Sequence, residues 1–190
     1  GIPKDNKVVL YLGRVSEEKN IDEIMDYLDS YMSLHANVTF LVIGDGPHRP
    51  TLEKKTKGMK HRKQMIFAGA KPWDEITHYY QIADVFVSAS TSETQGLTYI
   101  EALSSGVPVV ARKDRCLEGV LLQGENGYAF VDEGSFVEGL DQVLWNQKGI
   151  DYSKNAIDSV EKFSTEKFAA KVENIYYHVT KTHRNMLIRM

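Results

Sequence analysis

Five short stretches of the chain are almost continuously apolar and rich in β-branched residues: 7–13 (KVVLYLG), 37–44 (NVTFLVIG), 64–69 (QMIFAG), 84–88 (DVFVS) and 107–111 (VPVVA). Such runs are expected of strands buried on both faces of a sheet. Between them lie stretches with helical periodicity, at 18–35, about 49–57, 73–82 and 97–105. In the first, Ile21, Ile24, Met25, Leu28, Tyr31 and Met32 recur at steps of three and four and predict one buried face. Gly13, Gly44 and Gly69 end three of the apolar runs, where a strand must turn sharply into a loop. Strand–helix–strand repetition predicts an α/β fold with a Rossmann-like, doubly wound parallel sheet, its strand order left open. Beyond Val131 the pattern is helical only, at 136–147, 155–163 and 165–183, the last carrying a stripe of Phe168, Val172, Ile175, Tyr176 and Val179. That stripe is expected to pack on this domain or against one outside the chain. No repeat or low-complexity linker divides the sequence, so residues 1–190 read as one domain.

The 190 residues suffice for a sizeable core, and 42% apolar with 26% charged residues excludes wholesale disorder. A formal charge of −3 gives no general attraction to nucleic acid or to an anionic membrane. The longest uninterrupted apolar run has five residues, far short of the ~18–20 that span a bilayer. With one cysteine and no signal peptide, the expectation is a soluble, cytoplasmic domain. The basic run 54–63 (KKTKGMKHRK) holds six Lys or Arg. An anionic-lipid or phosphate patch is one reading; a solvated helix end broken by Gly58 is favoured, because few apolar anchors accompany the charges.

Ligands of an open parallel sheet bind beyond the carboxyl ends of its strands, so the loops there are the place to seek chemistry. After the first run, Arg14 and Lys19 stand five residues apart and suit a diphosphate: a guanidinium fork and an ammonium point charge. An exposed loop beside Glu17 and Glu18 is an equal reading on spacing alone. The second loop, Gly44-Asp45-Gly46-Pro47, lacks the third glycine of a dinucleotide fingerprint, which disfavours an NAD module. In the segment that follows the fourth run, Gly96 opens a helix. Backbone amides near Gln95, Gly96, Leu97 and Thr98 would therefore lie at a helix N-terminus, favourable for phosphate. Glu93 before it and Glu101 within it bracket that position, and carboxylates accept hydrogen bonds from sugar hydroxyls. Taken singly, Glu93 is an ordinary first-turn carboxylate and Glu101 a solvent-facing one; the ensemble favours a site. Cys116 has no partnering base in sequence, and the six histidines (His35, His48, His61, His78, His178, His183) show no zinc spacing.

Glu93-x7-Glu101, embedded in ETQGLTYIEALSSGVPVVA, resembles the donor-binding motif of retaining family-4 glycosyltransferases. GRVSEEKNI at 13–21, IGDGP at 43–47, FAG at 67–69, ADVFV at 83–87 and GENG at 124–127 agree in family order. The resemblance spans about Val8 to Phe130. It implies half of a GT-B enzyme, the carboxyl-terminal domain that binds a nucleotide diphosphate-sugar, with the amino-terminal acceptor domain absent from this chain. By position, Arg14 and Lys19 would hold the diphosphate and Glu93 the sugar hydroxyls; these three form the expected catalytic set. Glu101 would take the ribose, the backbone at Gln95, Gly96, Leu97 and Thr98 the phosphate or sugar, and Ala70 and Lys71 the base. No metal or separate cofactor is implied. The wording LTYIEAL suggests UDP-glucose or a similar donor, a lipid or cell-envelope acceptor, and a place at the inner face of a membrane. Where the family often has Gly-Gly-x-Pro-Glu, this chain has Arg115-Cys116-Leu117-Glu118-Gly119, so no role transfers there. A non-catalytic nucleotide or sugar-phosphate binding module is the alternative.

Overall fold

In the computed structural model, which describes residues 1–187 and side chains through residue 180, the strands form one six-stranded parallel sheet. They are β1 (Lys7–Leu12), β2 (Val38–Ile43), β3 (Met65–Gly69), β4 (Val85–Ser88), β5 (Val109–Arg112) and β6 (Gly127–Phe130), in the order β3-β2-β1-β4-β5-β6. The helices are α1 (Ile21–Tyr31), α2 (Arg49–Thr56), α3 (Ile76–Gln81), α4 (Leu97–Ser104), α5 (Glu133–Leu144), α6 (Tyr152–Val160) and α7 (Thr165–Leu187).

The five apolar runs are strands, but β6 was not expected. Its sequence, GYAF, opens on glycine and has no β-branched residue. Tertiary contacts hold it in place instead. Asn126, wholly buried, accepts from Leu122 N at 2.7 Å and donates to Val120 O and Ser159 Oγ. Gly127 then lies so close to β5 that a Cβ would sit 1.9 Å from Val109 O. The predicted helix 18–35 is also divided. A short 3-10 turn (Glu17–Lys19) ends at Asn20, which adopts the left-handed conformation (φ 49°), and α1 begins only at Ile21.

Alternate residues of each strand face opposite sides. Val9, Tyr11, Val38, Phe40, Val85, Val87 and Val110 pack under α1, α2 and α5, whereas Val8, Leu10, Leu41, Phe86, Val109 and Ala111 pack under α3, α4 and α6. Asp84 joins β4 to β1 at their amino ends: it accepts from Val8 N at 2.8 Å and pairs with Lys7 Nζ at 2.9 Å. On the α1 face, Trp145 Nε1 donates to Tyr31 Oη, which donates to Asp141, tying α5 to α1. Most of the stripe on α7 does not pack here. Phe168, Ile175, Tyr176 and Val179 are exposed, and Val172 is half-buried. Among the described residues no helix is long and apolar enough to cross a membrane.

The basic run divides between ion pairs and solvent. Lys55 pairs with Asp26, the His61 backbone N–H donates to Asp29 Oδ1 at 2.8 Å, and Lys54, Lys57, Arg62 and Lys63 are exposed. It lies between α2 and β3, at the amino edge of the sheet, away from the carboxyl-edge loops.

At that carboxyl edge the first three strands end side by side, after a register shift between β2 and β3 at Val42 and Ile43. Gly13 N donates to Ile43 O at 3.0 Å and Gly44 N to Gly69 O at 2.9 Å. A Cβ on Gly44 would lie 1.8 Å from Gly13 O, and φ there is +138°. Gly44→Ala is therefore expected to destabilise the fold by about 3 kcal/mol or more. Urea unfolding measures this, and a loss below about 1 kcal/mol would show that the loops separate easily.

Candidate functional site

Strands β1 and β4 are neighbours whose chains then leave in opposite directions, β1 to β2 and β4 to β5. At such a switch point the following loops diverge and leave a crevice. Here it is a cavity of about 160 Å³ lined by Tyr11, Leu12, Gly13, Arg14, Lys19, Phe86, Ser88, Glu93 and Thr98. Larger concavities exist, including one of about 680 Å³ around Ile2–Val8 at the opposite edge and one of about 420 Å³ lined by His35, Asp141 and Trp145. Neither lies at the β1/β4 switch point, and nor does a third of about 490 Å³ beyond β5 and β6 that holds Lys113, Asp114 and Glu118, so volume does not locate the chemistry.

Four of the expected residues converge in the crevice: Arg14, Lys19, Glu93 and Thr98. Lys19 Nζ pairs with Glu93 Oε1 at 2.6 Å and lies 3.3 Å from Ser90 Oγ, with both charged side chains largely buried. Arg14, by contrast, is exposed and makes no ion pair among the described residues. Its backbone is fixed from below, because Tyr11, buried in β1, donates its hydroxyl to Arg14 O at 2.8 Å. Burial, reinforced by Glu93, raises the Tyr11 pKa, which keeps that proton in place.

The loop carrying Glu93 is held to the loop carrying Lys19 by two residues that sequence reasoning passed over. Asn20 donates from Nδ2 to Ala89 O at 3.1 Å, its left-handed backbone turning the side chain across the gap. Ser90, fully buried, accepts from Ser92 N with the same oxygen that faces Lys19. In sequence Ser90 is one small polar residue among several, and only the partner 71 positions away distinguishes it.

Gly96 is the residue before α4, with φ +59°, and no side chain caps this helix end. A Cβ on Gly96 would lie 2.5 Å from the Tyr99 ring. Gln95 and Leu97 are exposed beside it. Glu101 stands one turn further on. It is half-buried and accepts from Tyr80 Oη at 3.0 Å, in place of the solvent-facing position it would have taken singly. Ala70 and Lys71 follow β3, the edge strand, on the far side of β2. They share the carboxyl edge but not the crevice, and Lys71 Nζ lies over the Tyr79 ring at 5.8 Å. Among the described residues no three His, Cys, Asp or Glu side chains gather as a metal site; the His183 side chain lies outside them.

The Arg115–Gly119 departure forms a 3-10 turn (Arg115–Leu117) after β5, capped by Asp114, whose Oδ1 accepts from Cys116 N at 2.8 Å. Burial, with the Asp114 carboxylate beside it, pushes the Cys116 thiol up to about 12. At pH 8 the folded chain should alkylate with iodoacetamide at least about tenfold more slowly than the urea-unfolded chain, since the thiolate is the nucleophile. The rate should rise only as pH climbs toward 12; equal rates in both states would place Cys116 in solvent.

Residues 1–163 match the family described as glycosyl transferases group 1. An alpha-monoglucosyldiacylglycerol synthase from Acholeplasma laidlawii is 35% identical over 177 residues, which cover 93% of this chain and 44% of that protein. The chain thus spans under half the length of this curated relative. The crystal structure of the pneumococcal O-GlcNAc transferase GtfA with UDP and GlcNAc superposes with a TM-score of 0.81 at 19% identity, covering 93% of this chain and 37% of that one. A carboxyl-terminal domain of a group 1 glycosyl transferase from Francisella tularensis gives a TM-score of 0.71 at 27% identity, covering 81% and 84%. By family match, strand order and superposition, this chain belongs to the group 1, or family-4, glycosyl transferases and has the fold of their carboxyl-terminal GT-B domain.

Proposed function

We propose that the chain binds the nucleotide diphosphate-sugar donor of a retaining hexosyl transfer, completed by an acceptor-binding domain that this chain does not include. The observation that carries this reading is the convergence of Arg14, Lys19, Glu93 and Thr98 in one crevice at the β1/β4 switch point. Arg14 and Lys19 take the diphosphate, and their charge stabilises it as it leaves in the transition state. The backbone from Gln95 to Thr98 adds the amides of an uncapped helix start. Glu93 receives sugar hydroxyls and Glu101 the ribose. The base lies toward Ala70 and Lys71, with β2 between that turn and the crevice.

In the free protein Lys19 is already bonded to Glu93. Donor binding exchanges this pair: the ammonium turns to phosphate oxygens and the carboxylate to sugar hydroxyls, so neither charge is left unpaired. The bound nucleotide of the pneumococcal enzyme and the diacylglycerol product named for the Acholeplasma relative favour a UDP-hexose and a lipid acceptor, used at a membrane surface.

Calorimetry of the purified chain with UDP and UDP-glucose tests the reading. Binding in the micromolar to millimolar range is expected, and none at millimolar ligand would defeat it. Glu101→Ala should weaken UDP by about 1–3 kcal/mol, the worth of hydrogen bonds to a charged group, and an unchanged affinity would remove Glu101 from the site. Incubated alone with UDP-glucose and a diacylglycerol acceptor, the chain should transfer no sugar; turnover would show that no second domain is required.

A further inference from the structure

We propose that Tyr80 is a positioning residue: its hydroxyl fixes the Glu101 carboxylate so that the site distinguishes ribose from deoxyribose. This rests on the donor reading above, in which Glu101 meets the ribose. Tyr80 belongs to α3, and its ring is buried among the side chains between α3, α4 and β4, 6.1 Å from Phe86. Only its hydroxyl emerges on α4, 3.0 Å from Glu101 Oε2 and 3.4 Å from Thr98 O.

Both groups around that hydroxyl are acceptors, so Tyr80 can only donate. Burial, with the adjacent Glu101 charge, raises the Tyr80 pKa and keeps the proton on the phenol. The bond therefore has one polarity and occupies one lone-pair direction of Oε2. Oε1 and the remaining direction of Oε2 stay available, a planar pair suited to two adjacent hydroxyls. A free glutamate side chain must give up rotamer freedom to present such a pair. With Tyr80 holding it, much of that ordering precedes the ligand. Losing one ribose hydroxyl then leaves a carboxylate oxygen fixed and unpaired, where a mobile side chain would swing to water.

The alternative is that Tyr80 merely fills the core and its hydroxyl finds the nearest acceptor. Calorimetric affinities for UDP, 2′-deoxy-UDP and inorganic pyrophosphate, on the unsubstituted chain and on Tyr80→Phe, separate the two. The unsubstituted chain should prefer UDP over 2′-deoxy-UDP by about tenfold, a difference of about 1.4 kcal/mol. Tyr80→Phe should cut that preference to about threefold or less while pyrophosphate binding, which reports on Arg14 and Lys19, stays within about twofold. A folded Tyr80→Phe with the preference intact overturns the inference, as does a parallel loss of pyrophosphate affinity, which would mark a general collapse. Should Tyr80→Phe not fold, the Cζ resonance of 13C-labelled Tyr80 in the unsubstituted chain takes its place. UDP should shift it more than 2′-deoxy-UDP, and an equal response overturns the inference. If UDP does not bind the unsubstituted chain at all, the donor reading fails first; UDP binding without discrimination defeats the Tyr80 role alone.

Discussion

Adjacent parallel strands β1 and β4 send their chains to opposite faces of the sheet, and every feature of the site depends on that divergence. Right-handed crossovers put α1 with one core layer and α4 with the other. The loops that begin these crossovers cannot pack on each other along their whole length, so a crevice remains between them. Arg14 and Lys19 come to it from one loop, Glu93 from the other, and Thr98 from the first turn of α4. Asp84 is part of the same constraint at the other end of the strands, since its bonds to Val8 and Lys7 hold β4 beside β1. The ADVFV wording thus places an acidic residue where it fixes strand pairing, far from the chemistry it accompanies.

A layer of buried polar groups lies beneath the crevice and gives its loops fixed geometry. Tyr11 holds the Arg14 backbone, Asn20 bridges to Ala89, Ser90 supports Lys19, and Tyr99 donates to Ser88 at 3.1 Å. Two backbone positions in the left-handed region, Asn20 and Gly96, turn the chain into α1 and α4 at the ends nearest the site. Asparagine tolerates that conformation better than most residues, and glycine tolerates it freely. Gly96 has a second reason to be glycine, since any side chain there would meet the Tyr99 ring.

Strands β1 to β5 are legible in sequence because burial leaves short apolar runs, and their brevity, β-branched residues and, in three of them, closing glycines set them apart from a buried helix segment. Strand β6 is not, because Asn126 and the close approach of Gly127 to Val109 hold it there, and neither signal is local apolar pattern. The start of α1 is misread for a related reason. Glu18 and Lys19 are good helix formers, and the left-handed turn at Asn20 overrides their propensity. In the crevice, Arg14, Lys19 and Glu93 are legible as charges on loops at the carboxyl ends of the strands. Their supports are not: Ser90 and Tyr80 carry no distinguishing neighbour in sequence, and their partners, Lys19 and Glu101, lie 71 and 21 residues away. The α7 stripe is legible as amphipathic, but periodicity cannot say which surface covers it, and here all of it but Val172 stands exposed.

The unequal state of the two cations bears on selectivity in the proposed reading. Arg14 is exposed and free of ion pairs among the described residues, so it attracts any approaching polyanion without breaking a bond. Lys19 is different, because each interaction it makes with a phosphate is set against its short bond to Glu93. An inorganic anion that captured Lys19 would leave Glu93 charged, partly buried and without its partner, which is the costly way to break such a pair. A ligand that brings hydroxyls alongside its phosphates gives Glu93 new donors as Lys19 departs. The net charge of −3 conceals this arrangement. What the crevice offers is less a basic patch than a cation and a carboxylate already paired, which together favour a ligand able to satisfy both.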